Sequence, residues 1–287
     1  MQLGRYVLDP NRMKEGGQAF VYFTTDPYDG ARVAIKVSRP STWSHQRMVR
    51  EIQAQKALDH PNILPVRDHD TDLGWYATDE AECSLDDLGP FPRAQWMYLR
   101  AGMTGVVSAI AYAHAQGYVH RDLSPGNILV FGGGWTVSDW GFVYLPPRKA
   151  PRMTEPLERF GTPEFMAPEQ VADPRKVGPE ADIFALGRIA AWATMLNRDE
   201  GSSDDHPFTA WWRRLIDGTT AYDPAKRWAI RDLQAHLRTK PSVQRLQEPE
   251  FDQPLTVSRA DSCPQCGSAR GRDAAERCLH CHTHLAY

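Results

Sequence analysis

The most constraining feature of this 287-residue chain is the run His120-Arg121-Asp122-Leu123-Ser124-Pro125-Gly126-Asn127, with Asp139-Trp140-Gly141 beginning twelve residues after its Asn. Phosphoryl transfer to a hydroxyl requires one carboxylate that orients the attacking oxygen and takes its proton. It also requires two oxygen ligands that hold Mg²⁺ on the nucleotide phosphates. Asp122 is the candidate for the first role, and Asn127 and Asp139 are candidates for the second. One Asp or Asn alone carries no such meaning, since these residues most often serve turns and caps. Here order and spacing carry it. Between the two ligands, Ile128 to Phe131 and Trp135 to Val137, joined by Gly132-Gly133-Gly134, read as a hairpin.

Other segments complete the pattern. Val33-Ala34-Ile35-Lys36 reads as a strand ending in a cation, and Gly16-Gly17-Gln18-Ala19-Phe20-Val21-Tyr22 precedes it. Gly161-Thr162-Pro163-Glu164-Phe165-Met166-Ala167-Pro168-Glu169 follows Asp139. On these residues the chain resembles the eukaryotic-type (Hanks-type) serine/threonine protein kinase family, from about residue 5 to residue 240. The resemblance implies an α+β, two-lobed protein-kinase-like fold. The kinase domain would span 1–240, with a small antiparallel β lobe over about 1–81 and a helical large lobe over about 82–240.

In that family the strand Lys, here Lys36, grips nucleotide phosphates and pairs with an acid on the following helix. From Ser38 to Leu58 the one acid is Glu51, in a helix-compatible stretch from Arg47 to Leu58. The catalytic set is thus Asp122, Lys36, Glu51, Asn127 and Asp139. The implied cofactors are ATP and Mg²⁺ or Mn²⁺, the metal on Asn127 and Asp139. ATP would meet Met13, Gly16, Gly17, Val21, Ala34, Lys36, the gatekeeper Thr78, the hinge at Asp79 and Ala81, and Leu129. Glycine-rich loops let backbone N–H groups approach an anion without a Cβ in the way. In this chain the loop's three glycine positions fall on Lys14, Gly16 and Ala19, so only the middle glycine is kept.

Strands are expected at Tyr6 to Leu8, Phe20 to Thr25, Arg32 to Val37, Ile63 to Val66 and Trp75 to Thr78, with a turn at Asp26-Pro27-Tyr28-Asp29-Gly30. Leu85 to Leu88 and Gln95 to Gln116 open the helical lobe. The resemblance further implies that Thr162 hydrogen-bonds Asp122, that Arg227 pairs with Glu169, and that Asp182 to Gly187 lie on a buried helix anchoring the catalytic loop. Arg121 would receive an activation-segment phosphate, and Thr154 is the candidate for autophosphorylation there.

Two departures stand out. Ser124 occupies the place where Ser/Thr kinases usually carry a Lys, which removes a charge from a site where charge stabilisation is a large share of catalysis. Lys14 or an activation-segment Arg is the compensating candidate. Second, only eleven residues, Asn197 to Pro207, separate the helix ending near Leu196 from the one starting near Phe208. The family's intervening helix is expected to be reduced or absent.

After a polar, Pro-punctuated linker over 241–262 comes Cys263-Pro264-Gln265-Cys266, then Cys278-Leu279-His280-Cys281. Paired C-x-x-C turns each aim two thiolates at one metal, so 263–287 reads as a zinc ribbon with structural Zn²⁺ on Cys263, Cys266, Cys278 and Cys281. A protein partner is its expected ligand. Net charge is -3, which makes nucleic acid an unlikely partner, and 41% apolar content supports a sizeable core. The N-terminal residues lack a signal-peptide apolar region, and Ala101 to Val119 is interrupted by His114 and Gln116. The expected setting is cytoplasmic, without a membrane span. The resemblance favours ATP-dependent phosphorylation of protein Ser/Thr hydroxyls. A pseudokinase or nucleotide-binding scaffold would explain Lys14, Ala19 and Ser124, and a small-molecule kinase would explain the shortened lower lobe.

Overall fold

The computed structural model describes residues 1–17, 19–132, 134–143, 162–173, 177–196 and 206–241. Thr154, nine of the residues between the two large-lobe helices, and nearly all of the expected linker and the whole expected zinc ribbon lie outside them.

Two short strands open the chain, β1 (Gln2–Leu3) and β2 (Tyr6–Val7), paired antiparallel with each other. The five-stranded sheet that follows contains β3 (Met13–Glu15), β4 (Ala19–Thr25), β5 (Arg32–Ser38), β6 (Asp68–Asp70) and β7 (Trp75–Asp79), in the order β3-β4-β5-β7-β6. The period-2 alternation of β5 decides its two faces. Val33 and Ile35 are buried against Tyr6, Leu8, Trp75 and Ala77. Ala34 and Lys36 turn the other way, stay half-buried, and stand opposite Thr78 and Tyr76 in register.

The expected first strand, Tyr6 to Leu8, therefore lies outside the main sheet. The expected strand at Ile63 to Val66 does not form. Pro65 lacks the N–H that a ladder needs, so Ile63 makes only an isolated bridge to Val137 and the edge strand begins three residues after Pro65. Between β5 and β6, α1 (Thr42–Ala57) starts five residues before the expected stretch. Ser41 is its N-cap and accepts the Ser44 N–H at 3.0 Å, the type of side chain that satisfies an orphan helix donor. Met48 and Ile52 pack this helix against Tyr76 and Ala19.

The chain then crosses through β8 (Cys83–Ser84) and α2 (Leu85–Leu88) into the large lobe. Its central helix, α3 (Trp96–Ala115), buries Leu99, Met103, Val106, Val107 and Ile110 at helical spacing. Gly102 on the same helix lets the Trp135 ring approach, since a Cβ there would lie 2.2 Å from it. Trp135 belongs to the hairpin β9 (Ile128–Phe131) and β10 (Gly134–Val137), which agrees with the reading of that segment. The lobe is completed by α4 (Pro168–Ala172), α5 (Glu180–Thr194), α6 (Pro207–Thr219) and α7 (Ile230–Arg238). One core joins α3, α5, α6, α7 and the hairpin. Arg227 ties its far edge: its guanidinium donates two bonds to Glu169, at 2.6 and 2.8 Å. No helix among the described residues is long and apolar enough to cross a membrane.

Candidate active site

Lys36 on β5 and Glu51 on α1 meet at 2.7 Å. The second carboxylate oxygen partner of Lys36 is Asp139 Oδ2, at 3.2 Å. Tyr76, opposite Lys36 in the sheet, donates its hydroxyl to the same Glu51 oxygen at 2.6 Å. Burial alone would lower the Lys36 ammonium, but the charges of Asp139 and Glu51 outweigh it and its pKa is raised. Burial would likewise push Asp139 up; Lys36 and Arg47 overcome that and hold it well below the ordinary carboxylate range.

Asp122 sits in a loop whose backbone is fixed from several sides. Asp182, in the first turn of α5, accepts the N–H of His120 at 2.9 Å and of Arg121 at 2.8 Å. Gln170 donates to the Arg121 carbonyl at 2.6 Å. Arg121 adopts φ 69° and Asp139 φ 55°, left-handed conformations that non-glycine residues hold only where surrounding bonds enforce them. His120 is fully buried. Its Nε2 donates to Ser138 O at 3.0 Å while its Nδ1 accepts the Asp122 N–H at 3.2 Å, and one tautomer satisfies both. Its ring lies 4.6 Å from that of Trp140, which joins the Asp122 loop to the Asp139 turn.

The hydroxyl and N–H of Thr162 both donate to Asp122 Oδ1, at 3.3 and 3.0 Å. Burial is the main force that raises the Asp122 pKa, with the nearby Asp139 charge second. Asn127 commits its amide nitrogen to the Asp122 carbonyl at 2.7 Å, which leaves the amide oxygen as the atom that could meet a metal. Asn127 and Asp139 flank the β9-β10 hairpin and are tied by Ser138, whose N–H donates to Asn127 O at 2.9 Å. An amide oxygen and a carboxylate suit a hard divalent cation held jointly with phosphates. Among the described residues no cluster of three His, Cys, Asp or Glu side chains could hold a metal by itself; Cys263, Cys266, Cys278 and Cys281 are not among them.

The residues expected to line the nucleotide cleft come from five strands, one turn and the hinge. Val21 on β4, Ala34 on β5, Leu129 on β9 and Met13 on β3 are half-buried, as walls of a cleft must be. Thr78 is buried opposite Ala34. Gly16 and Gly17 lie in the β3-β4 turn, where Gly16 N–H donates to Ala19 O at 2.9 Å. At the hinge the Glu80 and Glu82 amides are committed to Arg32 and Val130 carbonyls, with Ala81 between them, and the Asp79 carboxylate pairs with Arg67.

A comparison with protein families matches the protein kinase domain over residues 11–237. The chain belongs to the protein kinase family. Among similar kinases are the serine/threonine-protein kinase AfsK of Streptomyces coelicolor, 34% identical over 193 residues, and the DNA damage-responsive serine/threonine-protein kinase RqkA of Deinococcus radiodurans, 33% identical over 205 residues. Those matches take in 63% and 65% of this chain but only 23% and 29% of the relatives. Cyclin-dependent kinase F-4 of Oryza sativa is 26% identical over 186 residues, 62% of this chain and 39% of that kinase. The chain thus spans about a quarter to two fifths of the length of the curated relatives it matches.

For this kinase the sequence reading missed Arg47. Its Nη2 lies 3.2 Å from Asp139 Oδ1 and 4.0 Å from Asp122 Oδ2. The charge of Lys14, the expected substitute for a Lys at 124, is felt instead at Cys83 and Asp86. A signal for Arg47 existed: it stands one helical turn before Glu51, and residues four apart share a helix face. Ser124 itself is buried. Arg121 donates to Val177 O at 3.1 Å, so the expected phosphate-receiving side chain already bridges to the segment before α5.

Proposed function

We propose that this chain transfers the γ-phosphoryl group of ATP to Ser or Thr hydroxyls of protein substrates. The observation that carries the reading is the convergence of Lys36, Asp139 and a buried, Thr162-bonded Asp122 around one charge cluster. Asp122 would orient the substrate hydroxyl and accept its proton, for which a raised pKa is suited. Lys36, held by Glu51, would bind phosphate oxygens. Asn127 and Asp139 would hold Mg²⁺ or Mn²⁺, which when bound neutralises phosphate charge. Met13, Gly16, Gly17, Val21, Ala34, Thr78, Asp79, Ala81 and Leu129 would enclose the nucleotide. Labelled ATP with a generic protein substrate, given to wild type and to Asp122→Asn, tests the reading.

Autophosphorylation is expected at Thr154, with Arg121 receiving the phosphate through charge-assisted bonds. Mass spectrometry after incubation with MgATP should find phosphate on Thr154 in wild type and none in Asp122→Asn. A fully active enzyme with unmodified Thr154 excludes that role.

The four cysteines at 263, 266, 278 and 281 are proposed to fold the segment around one structural Zn²⁺, as a docking element for a protein partner, in a cytoplasmic setting. A segment this short lacks a core of its own, so binding metal and folding would be one event. Cys263→Ser with Cys266→Ser should remove about one equivalent of zinc, measured by plasma mass spectrometry, and leave ATP binding intact. Full zinc content in that variant contradicts the assignment.

A further inference from the structure

Helix α1 brings a second cation into the cleft. Arg47 is 8% exposed and spans from Asp139 Oδ1, at 3.2 Å, towards Asp122 Oδ2, at 4.0 Å. Lys36 takes the other oxygen of Asp139 at 3.2 Å. Both oxygens of the carboxylate therefore face cations of the protein itself.

The turn after Asp139 is shaped to receive this side chain. The Arg47 guanidinium lies 3.5 Å from the centroid of the Phe142 ring, a cation–π arrangement that rewards a desolvated arginine. Gly141 leaves the room: a Cβ there would lie 2.4 Å from Arg47 Nε and 3.0 Å from its Cγ. Carboxylate, aromatic face and glycine hollow together enclose one guanidinium. An arginine stays charged at any working pH, so only movement of the side chain or of α1 takes its charge away.

We propose that Arg47 is the resident counter-ion of the metal site: it holds Asp139 and sets how tightly the site takes a divalent cation. This rests on the reading of Asp139 as a metal ligand. Arg47 and a divalent cation both draw on Asp139 Oδ1, and two positive charges a few ångströms apart repel. Each therefore weakens the hold of the other, and the coupling is reciprocal. Arg47 shares α1 with Glu51, so its release is linked to the position of the helix that supports Lys36. It is a positioning residue, acting through Asp139.

The test is Mn²⁺ affinity, read by electron paramagnetic resonance in the presence of a non-hydrolysable ATP analogue. Wild type is compared with Arg47→Met, Arg47→Lys and Asp139→Asn. Methionine keeps an apolar stem over Phe142 and removes the charge; lysine keeps the charge. Arg47→Met is expected to bind Mn²⁺ about tenfold or more tightly than wild type, and Arg47→Lys within about threefold of it, given repulsion of close charges at intermediate dielectric. Unchanged or weaker binding by Arg47→Met overturns the proposal, as does equal tightening by Met and Lys. Asp139→Asn binding Mn²⁺ as well as wild type would overturn the metal reading of Asp139 and this inference with it. Arg47→Gln, also neutral, repeats the comparison should the Met variant fail to fold.

Discussion

Asp122→Asn is expected to slow phosphoryl transfer to protein by about 10³-fold, with affinity for an ATP analogue within about threefold of wild type, in line with the usual 10²–10⁴ contribution of a general base. Asparagine preserves the size of the side chain and the oxygen that accepts from Thr162. It cannot take a proton from the attacking hydroxyl. Lys36, Glu51 and Asp139 are tied to one another through bonds that do not involve Asp122, so the phosphate-binding charges remain in place. The pH profile supplies a second check. Burial, with Asp139 next, raises the Asp122 pKa, so the acid limb of the wild-type rate should lie above that of an ordinary carboxylate. Initial rates with labelled ATP and displacement of a fluorescent nucleotide measure the two quantities. Equal labelling by variant and wild type would assign the activity elsewhere and favour a scaffold.

The parts of this kinase that were legible in the sequence are those whose chemistry forces both residue type and spacing. Asp122, Asn127 and Asp139 are read from one loop and one hairpin, because Asn127 and Asp139 sit at the two ends of β9 and β10. Glu51 could be picked out because α1 offers no rival acid. Thr162 on Asp122 and Arg227 on Glu169 follow from the family resemblance, and both pairs are present. Local composition served less well at the sheet edges. Ile63-Leu64-Pro65-Val66 has strand-like side chains, yet Pro65 breaks the ladder; Asp68–Asp70 has unfavourable composition and is nevertheless an edge strand, where one side of the backbone needs no partner. Arg47 was only half legible, for another reason. Its place one turn before Glu51 marks the helix face it shares, but its partner Asp139 lies ninety-two positions away, and nothing local names that contact.

Asp182→Asn is expected to cost about 3–5 kcal/mol of folding stability near neutral pH, the range typical when one partner of a buried charged network is removed. Asp182 is 1% exposed and accepts from three donors: His120 N and His114 Nε2 on Oδ2, and Arg121 N on Oδ1. Asparagine can offer one oxygen. Its amide nitrogen would face donors on the other side, leaving buried N–H groups without an acceptor. Arg121, held at φ 69° by this anchor, would then relax toward commoner backbone angles, and activity should fall together with stability. The pH dependence identifies charge as the cause. Burial pushes the Asp182 carboxyl up, but the His114 hydrogen bond, the His114 and His120 rings and the Arg121 N–H more than offset it, so its folded pKa lies below the unfolded one. Its stabilising contribution is complete above the unfolded pKa of about 3.9 and is lost as pH falls through the folded value, because the unfolded chain binds the proton first. Urea unfolding should therefore show a gap between wild type and Asp182→Asn that is constant from pH 7 to about pH 5 and narrows below about pH 4. A gap that stays constant into the acid range would mean that Asp182 anchors the loop by shape and not as a carboxylate.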